Sequence, residues 1–235
     1  MGPRLSLILP VYNERDRLSK NFKSIYDEAK RLGTFEIIIA EDGSTDGSKE
    51  LANRLSKRDG VKVLSVKGRT GRGGAIKRAV KIAHGNVIGY IDIDLAVPLR
   101  YMKDAIKLVE DGHPVVTGSR YEKGSDTTRS IYRHIASKSY NLLLKVLLSS
   151  KVKDHQCGFK FWSGKYIKKA IKDIKDNHWF FDSEMLVRAE RTGITPYELP
   201  VEWHEGRETK VRLKDNIYFV KQILRLRSEL AMPYK

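Results

Sequence analysis

The sequence predicts an α/β fold with a mostly parallel sheet flanked by helices. Two observations support it: short β-branched apolar runs alternate with segments of helical periodicity along the first half, and polar residues follow three of these runs. At 235 residues, the chain is long enough to bury one substantial core. In a parallel sheet of this kind, the loops at the carboxyl ends of the strands line the ligand crevice.

The first half supplies four strands and the three helices between them. The predicted strands are Leu5–Leu9, Phe35–Ala40, Val61–Val66 and Val87–Ile91, and the predicted helices are an amphipathic segment from Leu18 to Leu32, Ser48–Arg58 and Gly74–His84. Neither an internal repeat nor a long linker interrupts the chain. We therefore expect one domain over residues 1–210, with residues 211–235 adding a basic C-terminal helix.

The second half contains two basic amphipathic segments, at about residues 131–149 and at Asn216–Leu230. Leucine and isoleucine alternate there with lysine and arginine, a pattern typical of helices lying on an anionic bilayer surface. Helices that pack on the sheet with solvated basic faces would show the same pattern. Both interpretations stay open on the sequence alone.

The charge balance indicates an acidic partner. Lysine and arginine number 45 against 29 aspartate and glutamate, a formal net charge of +16, which suits nucleic acid, anionic lipid or a phosphorylated substrate. A lone cysteine, Cys157, excludes an internal disulfide and favours a reducing compartment. No apolar run reaches the roughly 18 residues of a membrane span. We expect a cytoplasmic protein with peripheral contact to the cytoplasmic face of a membrane.

Asp92 and Asp94 follow the fourth predicted strand and project to the same side of an extended segment. Carboxylate oxygens in this arrangement suit Mg²⁺ or Mn²⁺, which bind substrate phosphates alongside the protein. An ordinary turn at the end of a strand is the alternative. The position after a buried strand favours the metal site.

Two further loops are candidates for nucleotide binding. Asp42, after the second strand, could accept hydrogen bonds from a base or a ribose, although its loop also has the composition of a tight turn and a helix cap. The glycine-rich basic loop Gly68–Ala75, which contains Arg72, precedes a helix and could approach a diphosphate. This loop matches neither the dinucleotide-binding fingerprint nor the P-loop.

Taken together, these motifs resemble glycosyltransferase family 2 on a GT-A fold. The matching segments are Pro10–Glu14, Glu41–Gly47, the glycine-rich loop and Asp92–Asp94, in the family's order and spacing. The resemblance continues through Gly118–Tyr121, Asp154–Lys160 and Trp179–Glu184, where it is similar to the dolichyl-phosphate mannose and glucose synthases, the glucose branch more so. It departs from the mannose branch at Leu95, where a glutamine is common.

The resemblance implies a role for each matching residue. It assigns the nucleoside to Pro10, Tyr12, Glu14 and Asp42, the diphosphate to Arg72, Asp92 and Asp94, and the metal to Asp92 and Asp94. It assigns the acceptor phosphate to Arg133, Ser137 and Arg207, and catalysis to Asp94, Arg120, Arg133 and Asp182. The implied partners are a nucleotide sugar, a polyprenyl or dolichyl phosphate, a membrane surface and a possible membrane-anchoring protein that replaces the transmembrane helices of many relatives.

The implied reaction is an inverting transfer of a hexose, from UDP-glucose in preference to GDP-mannose, to a lipid phosphate. Such an acceptor is largely ionised at neutral pH and needs no general base. In relatives that glycosylate hydroxyls, an acid near Asp182 or Glu184 serves as the base; here either could instead cap a helix or pair with Arg207. A hydroxyl acceptor is therefore the alternative. A nucleic-acid-binding protein is the distant one, disfavoured by the carboxylates gathered at the strand ends.

Overall fold

A computed structural model describes residues 2–128, 131–204 and 215–231. The strands are β1 (Leu5–Val11), β2 (Phe35–Glu41), β3 (Val61–Ser65), β4 (Val87–Ile91), β5 (Val115–Ser119), β6 (Asp126–Thr128), β7 (Phe159–Ser163), β8 (Tyr197–Pro200) and β9 (Glu202–His204). The helices are α1 (Arg15–Arg31), α2 (Ser48–Leu55), α3 (Arg72–Ile82), α4 (Tyr101–Glu110), α5 (Ile131–Leu148), α6 (Gly164–Ala170), α7 (Phe181–Arg191) and α8 (Asp215–Ala231).

The main sheet has seven strands in the order β3-β2-β1-β4-β7-β5-β8. All neighbours are parallel except β7, which runs antiparallel to both β4 and β5. A second, two-stranded parallel sheet pairs β6 with β9. The predicted fold class, a mostly parallel sheet flanked by helices, is confirmed.

Strand β1 shows why the sheet is covered on both faces. Leu7, Ile8 and Leu9 are all 0% exposed, and alternate side chains of a strand point to opposite faces. Leu7 and Leu9 belong to the core that includes α1 and α4, whereas Ile8 belongs to the core that includes α3, α6 and α7. Strands buried on both faces carry continuous apolar runs, which is the pattern read from the sequence.

The loops after β1 and β2 are tied to each other at the carboxyl edge of the sheet. Asn13 takes a positive φ of 51°, and its Oδ1 accepts a hydrogen bond from the Thr45 amide at 2.9 Å. The Glu14 amide donates to Ser48 Oγ at 3.0 Å. These bonds fix the two loops as one wall of the crevice.

The predicted helices and strands of the first half are all present, with small differences at their ends. Helix α3 begins at Arg72 rather than Gly74, because Gly71 takes a positive φ of 96° that ends the preceding loop. Helix α2 ends at Leu55, three residues before the predicted end, where the chain turns. The domain boundary predicted at residues 210–211 lies outside the described residues.

Both predicted amphipathic helices are present as α5 and α8, and they pack against each other. Leu144 and Leu148 of α5 share an apolar cluster with Phe219 and Ile223 of α8. Within the three described segments, none of the helices combines the length and apolarity needed to span a bilayer.

Candidate active site

A cavity of about 250 Å³ lies where the loops after β1, β2 and β4 meet. Seven residues singled out in the sequence line it: Pro10, Tyr12, Glu14, Asp42, Arg72, Asp92 and Asp94. The first and the last of these residues, Pro10 and Asp94, are 84 residues apart along the chain. These side chains lie together because the carboxyl ends of parallel strands meet at one edge of the sheet. We refer to this space as the donor cavity.

Arg72 bridges two carboxylates at the floor of the donor cavity. Its Nη2 lies 2.7 Å from Asp92 Oδ1, and its Nη1 lies 2.6 Å from Asp182 Oδ2. The guanidinium also stacks on the Tyr90 ring, 4.8 Å from its centroid. Although burial lowers it, the two carboxylates hold the pKa of Arg72 well above its usual value, so this residue is a fixed positive charge.

Asp182 is a buried partner in this network and is not presented to the cavity as a base. The side chain is 4% exposed, accepts hydrogen bonds from Arg72 and the Tyr90 hydroxyl, and lies 3.6 Å from Lys160 Nζ. Burial would raise the pKa of Asp182, but Lys160 and Arg72 hold it below its usual value. Helix α7 begins at Phe181, and Phe180 occupies the capping position. Asp182 therefore lies inside the first turn, and the prediction that it caps the helix is wrong.

Glu184, the other acid considered as a base, anchors α8. It is fully buried, accepts hydrogen bonds from the Lys175 and Asp176 amides at 3.2 and 3.0 Å, and pairs with Arg188 and Arg225 at 2.7 and 2.6 Å. It does not line the donor cavity. Its role in the described structure is to join α7 to α8.

Asp42 shapes the glycine-rich loop. It is 2% exposed; its Oδ1 accepts from the Thr70 amide at 3.0 Å, and its Oδ2 from the Gly71 amide at 2.8 Å. Two further amides of the loop, those of Gly73 and Gly74, donate to the backbone carbonyls of residues 178 and 177. These four amides are engaged within the protein, whereas the loop presents the side chains of Arg69 and Arg72 to the cavity. The cations that line the cavity are side chains, those of Arg17, Arg69 and Arg72.

The two aspartates after β4 have donor chemistry suited to a divalent cation. The Asp92 side chain is 40% exposed. Desolvation by the surrounding protein raises the pKa of Asp92, although Arg72 acts to lower it. A Cβ built on Gly158 would lie 1.8 Å from Asp92 Oδ2, so glycine is needed for the carboxylate to sit here. The described residues contain no cluster of three or more histidine, cysteine or acidic ligands. The carboxylates of Asp92 and Asp94 line both the cavity and the space beside it, and they fit a Mg²⁺ or Mn²⁺ ion that takes its remaining ligands from water and a diphosphate.

A second cavity, of about 100 Å³, adjoins the first and shares Asp92, Asp94 and Trp203 with it. Arg120 and Gln156 form its opposite wall. We refer to it as the acceptor cavity.

Of the four residues predicted to gather anionic groups there, Arg120 lines the acceptor cavity and Ser137 lies next to Arg120, outside the lining. Arg120 is 8% exposed and pairs with Asp154 through Nε and Nη2, at 2.7 and 2.8 Å. Its Nη2 lies 3.5 Å from Ser137 Oγ, which in turn is 3.3 Å from Gln156 Oε1. Although Asp154 is buried, Arg120 lowers its pKa to about 2. The side chain of Arg133, in α5, and the whole of Arg207 lie outside the described part of the chain.

Trp203 and Lys160 belong to the site, although the sequence alone gave neither of them a role. Trp203 lines both cavities but comes from β9, more than a hundred residues after Asp94. Lys160 is fully buried because antiparallel β7 places it opposite Tyr90 of β4. A local pattern does not reveal such a register, since it depends on which distant strands pair.

The similarity of this chain to known proteins shows its family. Residues 6–180 match glycosyl transferase family 2. The chain belongs to this family. It is 37% identical over 230 residues to the glycosyltransferase AglD of Haloferax volcanii, covering 95% of this chain but 37% of that protein. It is 30% identical over 220 residues to the dolichyl-phosphate beta-glucosyltransferase of Drosophila melanogaster, covering 86% of this chain and 67% of that one.

Solved structures support the GT-A fold of this family 2 glycosyltransferase. Glucosyl-3-phosphoglycerate synthase from Mycobacterium tuberculosis, in complex with UDP, has a TM-score of 0.66 at 18% identity, covering 100% of this chain and 82% of that one. The mannosyltransferase PcManGT from Pyrobaculum calidifontis, in complex with GDP-Man and Mn²⁺, has a TM-score of 0.66 at 16% identity, covering 100% and 66%. At such identities the likeness establishes the fold alone.

Proposed function

We propose that this family 2 glycosyltransferase moves a hexose from a nucleotide sugar to a polyprenyl or dolichyl phosphate with inversion. UDP-glucose is the favoured donor, supported by the similarity to dolichyl-phosphate beta-glucosyltransferases, and GDP-mannose is the alternative. The observation that carries the proposal is the pair of adjoining cavities, which share Asp92 and Asp94. A diphosphate bound at these aspartates places its sugar beside Arg120.

In the donor cavity, the residues provide stacking and positive charge. The Arg69 guanidinium lies 4.2 Å from the centroid of the Tyr12 ring, a flat surface suited to a nucleobase. Arg72 supplies a fixed charge for the diphosphate, and Asp92 and Asp94 would hold a Mg²⁺ or Mn²⁺ ion that neutralises the leaving group. Stabilising the departing diphosphate is the main catalytic task of this cavity.

In the acceptor cavity, a phosphate fits better than a hydroxyl. A phosphate monoester has a second pKa near 6, so at neutral pH it attacks the anomeric carbon without a base. The Arg120 guanidinium lines the cavity and offers the donors that would hold its oxygens, while Ser137 lies beside Arg120 and donates to Gln156 Oε1. A hydroxyl acceptor would need a base, and Asp182 is buried and ion-paired while Glu184 is committed to α8. These contacts favour the phosphate over the hydroxyl alternative.

The enzyme is proposed to act at the cytoplasmic face of a membrane, where a lipid phosphate is presented. The free, buried thiol of Cys157 is compatible with a reducing compartment. Attachment would come from its own basic helices, with a membrane-anchoring partner protein as the alternative. The chain spans only 37% of the length of AglD, so the activity of the whole protein is part of this proposal.

The donor is tested by offering radiolabelled UDP-glucose and GDP-mannose, each with Mg²⁺ or Mn²⁺ and a polyprenyl phosphate in detergent. We expect label to enter the organic phase from UDP-glucose and to be lost in Asp94→Ala. Asp104→Ala, at an exposed position of α4, is the matched control and should retain transfer. Transfer from neither donor, or equal transfer by Asp94→Ala, would contradict the proposal.

A further inference from the structure

Lys160 is a fully buried cation that lines neither cavity. Strand β7 runs antiparallel between β4 and β5, and this places Lys160 opposite Tyr90 on one side and Thr117 on the other. A buried ammonium group is costly unless its N–H donors find acceptors and its charge finds a partner. The groups around Nζ therefore indicate what this side chain holds in place.

Two of these groups are the backbone carbonyls on either side of Gln156. Nζ donates to the Cys157 carbonyl at 2.6 Å and to the His155 carbonyl at 3.2 Å. Because the carbonyls before and after Gln156 are both bound to one buried group, the backbone of Gln156 is fixed relative to β7. Gln156 is the residue of this turn that forms the wall of the acceptor cavity together with Arg120.

The third group is Asp182, which anchors the ammonium itself. Asp182 Oδ1 lies 3.6 Å from Lys160 Nζ, while Asp182 Oδ2 lies 2.6 Å from Arg72 Nη1. The carboxylate is thus held from the donor side by Arg72 and holds Lys160 in turn. Lys160 is fixed by this ion pair on one side and clamps the turn around Gln156 on the other.

Gln156 brings an amide group to the acceptor cavity. Its Oε1 accepts a hydrogen bond from Ser137 Oγ at 3.3 Å, which orients the side chain. With the oxygen engaged, the two N–H donors of Nε2 are on the other branch of the amide. Next to the Arg120 guanidinium in the same wall, these donors suit the oxygens of a phosphate.

We propose that Gln156 binds the acceptor phosphate and that Lys160 is the positioning residue that holds Gln156 in place. The assignment to Gln156 rests on the proposed function, because it takes the acceptor to be a phosphate. Removing the ammonium group frees both carbonyls of the turn, and a misplacement of about 1 Å costs about 100-fold in rate. The donor cavity is spared, because Arg72 keeps its ion pairs with Asp92 and Asp182.

Binding of geranyl phosphate in the presence of UDP and Mn²⁺, measured by calorimetry, tests the proposal without requiring transfer. Lys160→Met puts an unbranched, uncharged side chain in place of the ammonium group. We expect it to weaken geranyl phosphate binding at least tenfold and to change UDP affinity less than threefold, which also shows that the variant is folded. Lys160→Gln, whose shorter side chain does not reach both carbonyls, should behave in the same way.

Lys77→Met is the matched control for the loss of a clamping lysine. Lys77 Nζ also donates to a backbone carbonyl, that of Ile174 at 2.6 Å, but it lines neither cavity. This variant should bind geranyl phosphate as the unmodified protein does. In transfer assays, Lys160→Met should raise the KM for the acceptor at least tenfold and leave the KM for UDP-glucose within threefold, whereas Lys77→Met should change neither.

A double-mutant cycle shows whether Lys160 acts through Gln156. Gln156→Ala alone should weaken geranyl phosphate binding at least tenfold, and adding Lys160→Met should weaken it less than threefold further. Additive losses, or unweakened binding by Gln156→Ala or by both Lys160 variants, would overturn the proposal and leave the phosphate acceptor standing. Absence of geranyl phosphate binding to the unmodified protein would overturn both.

Discussion

Gly158→Ala is the sharpest perturbation of the proposed metal site. The added Cβ would lie 1.8 Å from Asp92 Oδ2 and 2.4 Å from its Cγ. Because real Cβ atoms do not approach closer than 3.0 Å, the carboxylate must retreat by about 1.2 Å. The Asp92 amide still donates to the Gly158 carbonyl at 3.0 Å, and Gly158 does not have a positive φ, so the backbone can stay in place. The displacement therefore falls on the Asp92 side chain.

A misplacement of this size lowers kcat/KM by about 100-fold, equivalent to about 2.7 kcal/mol in the activation free energy. The assays are transfer kinetics, calorimetry of UDP binding with and without Mn²⁺, and thermal unfolding. We expect Gly158→Ala to lose the Mn²⁺-dependent part of UDP affinity while its Tm changes by a few degrees at most. Gly68→Ala is the control, since its Cβ would meet no atom within 4 Å. Near-normal Mn²⁺-dependent affinity in Gly158→Ala would refute the assignment, as would an equal loss in Gly68→Ala.

Three other expectations concern buried groups. Asp154→Ala leaves the Arg120 guanidinium buried without a carboxylate partner, so the free energy of unfolding in urea should fall by about 3–5 kcal/mol. A loss below about 1 kcal/mol would show that the pair is not needed for stability. Burial lowers the pKa of His155 from 6.5 to about 3, so below pH 6.5 the unfolded chain gains a proton that the folded chain does not. His155 should therefore reduce stability by up to about 1.4 kcal/mol per pH unit as the pH falls from 6.5 towards 3; His155→Gln should remove this slope, and His84→Gln, at an exposed histidine, should keep it. Burial raises the pKa of Cys157 to about 12, so a thiol reagent should label it only in denaturant; rapid labelling of the native protein would contradict its burial.

Local sequence pattern was sufficient for the first half of the fold and for the gathering of the donor-cavity residues. The period of apolar residues reveals strands and helices because it depends only on neighbours along the chain. The rule that parallel strands end at one edge then places Tyr12, Asp42, Asp92 and Asp94 together without any knowledge of side-chain contacts.

The remaining features depend on pairings that a local pattern does not contain. Antiparallel β7, inserted between β4 and β5, brings Gly158 against Asp92 and Lys160 towards Asp182. The sequence suggested a base or a cap for Asp182, whereas its long-range contacts make it a partner of Arg72. Asp42 holds the glycine-rich loop through the amides of Thr70 and Gly71, which are distant from it along the chain.

The most direct test of transfer to a phosphate compares two acceptors that differ only in that group. Purified protein is given labelled UDP-glucose, Mn²⁺ and either a polyprenyl phosphate or the matching polyprenol, and label in the organic phase is followed with time. We predict a β-linked glucosyl phosphate product from the first acceptor and none from the second. Transfer to the polyprenol, or transfer to neither while UDP binds tightly, would contradict a phosphate acceptor.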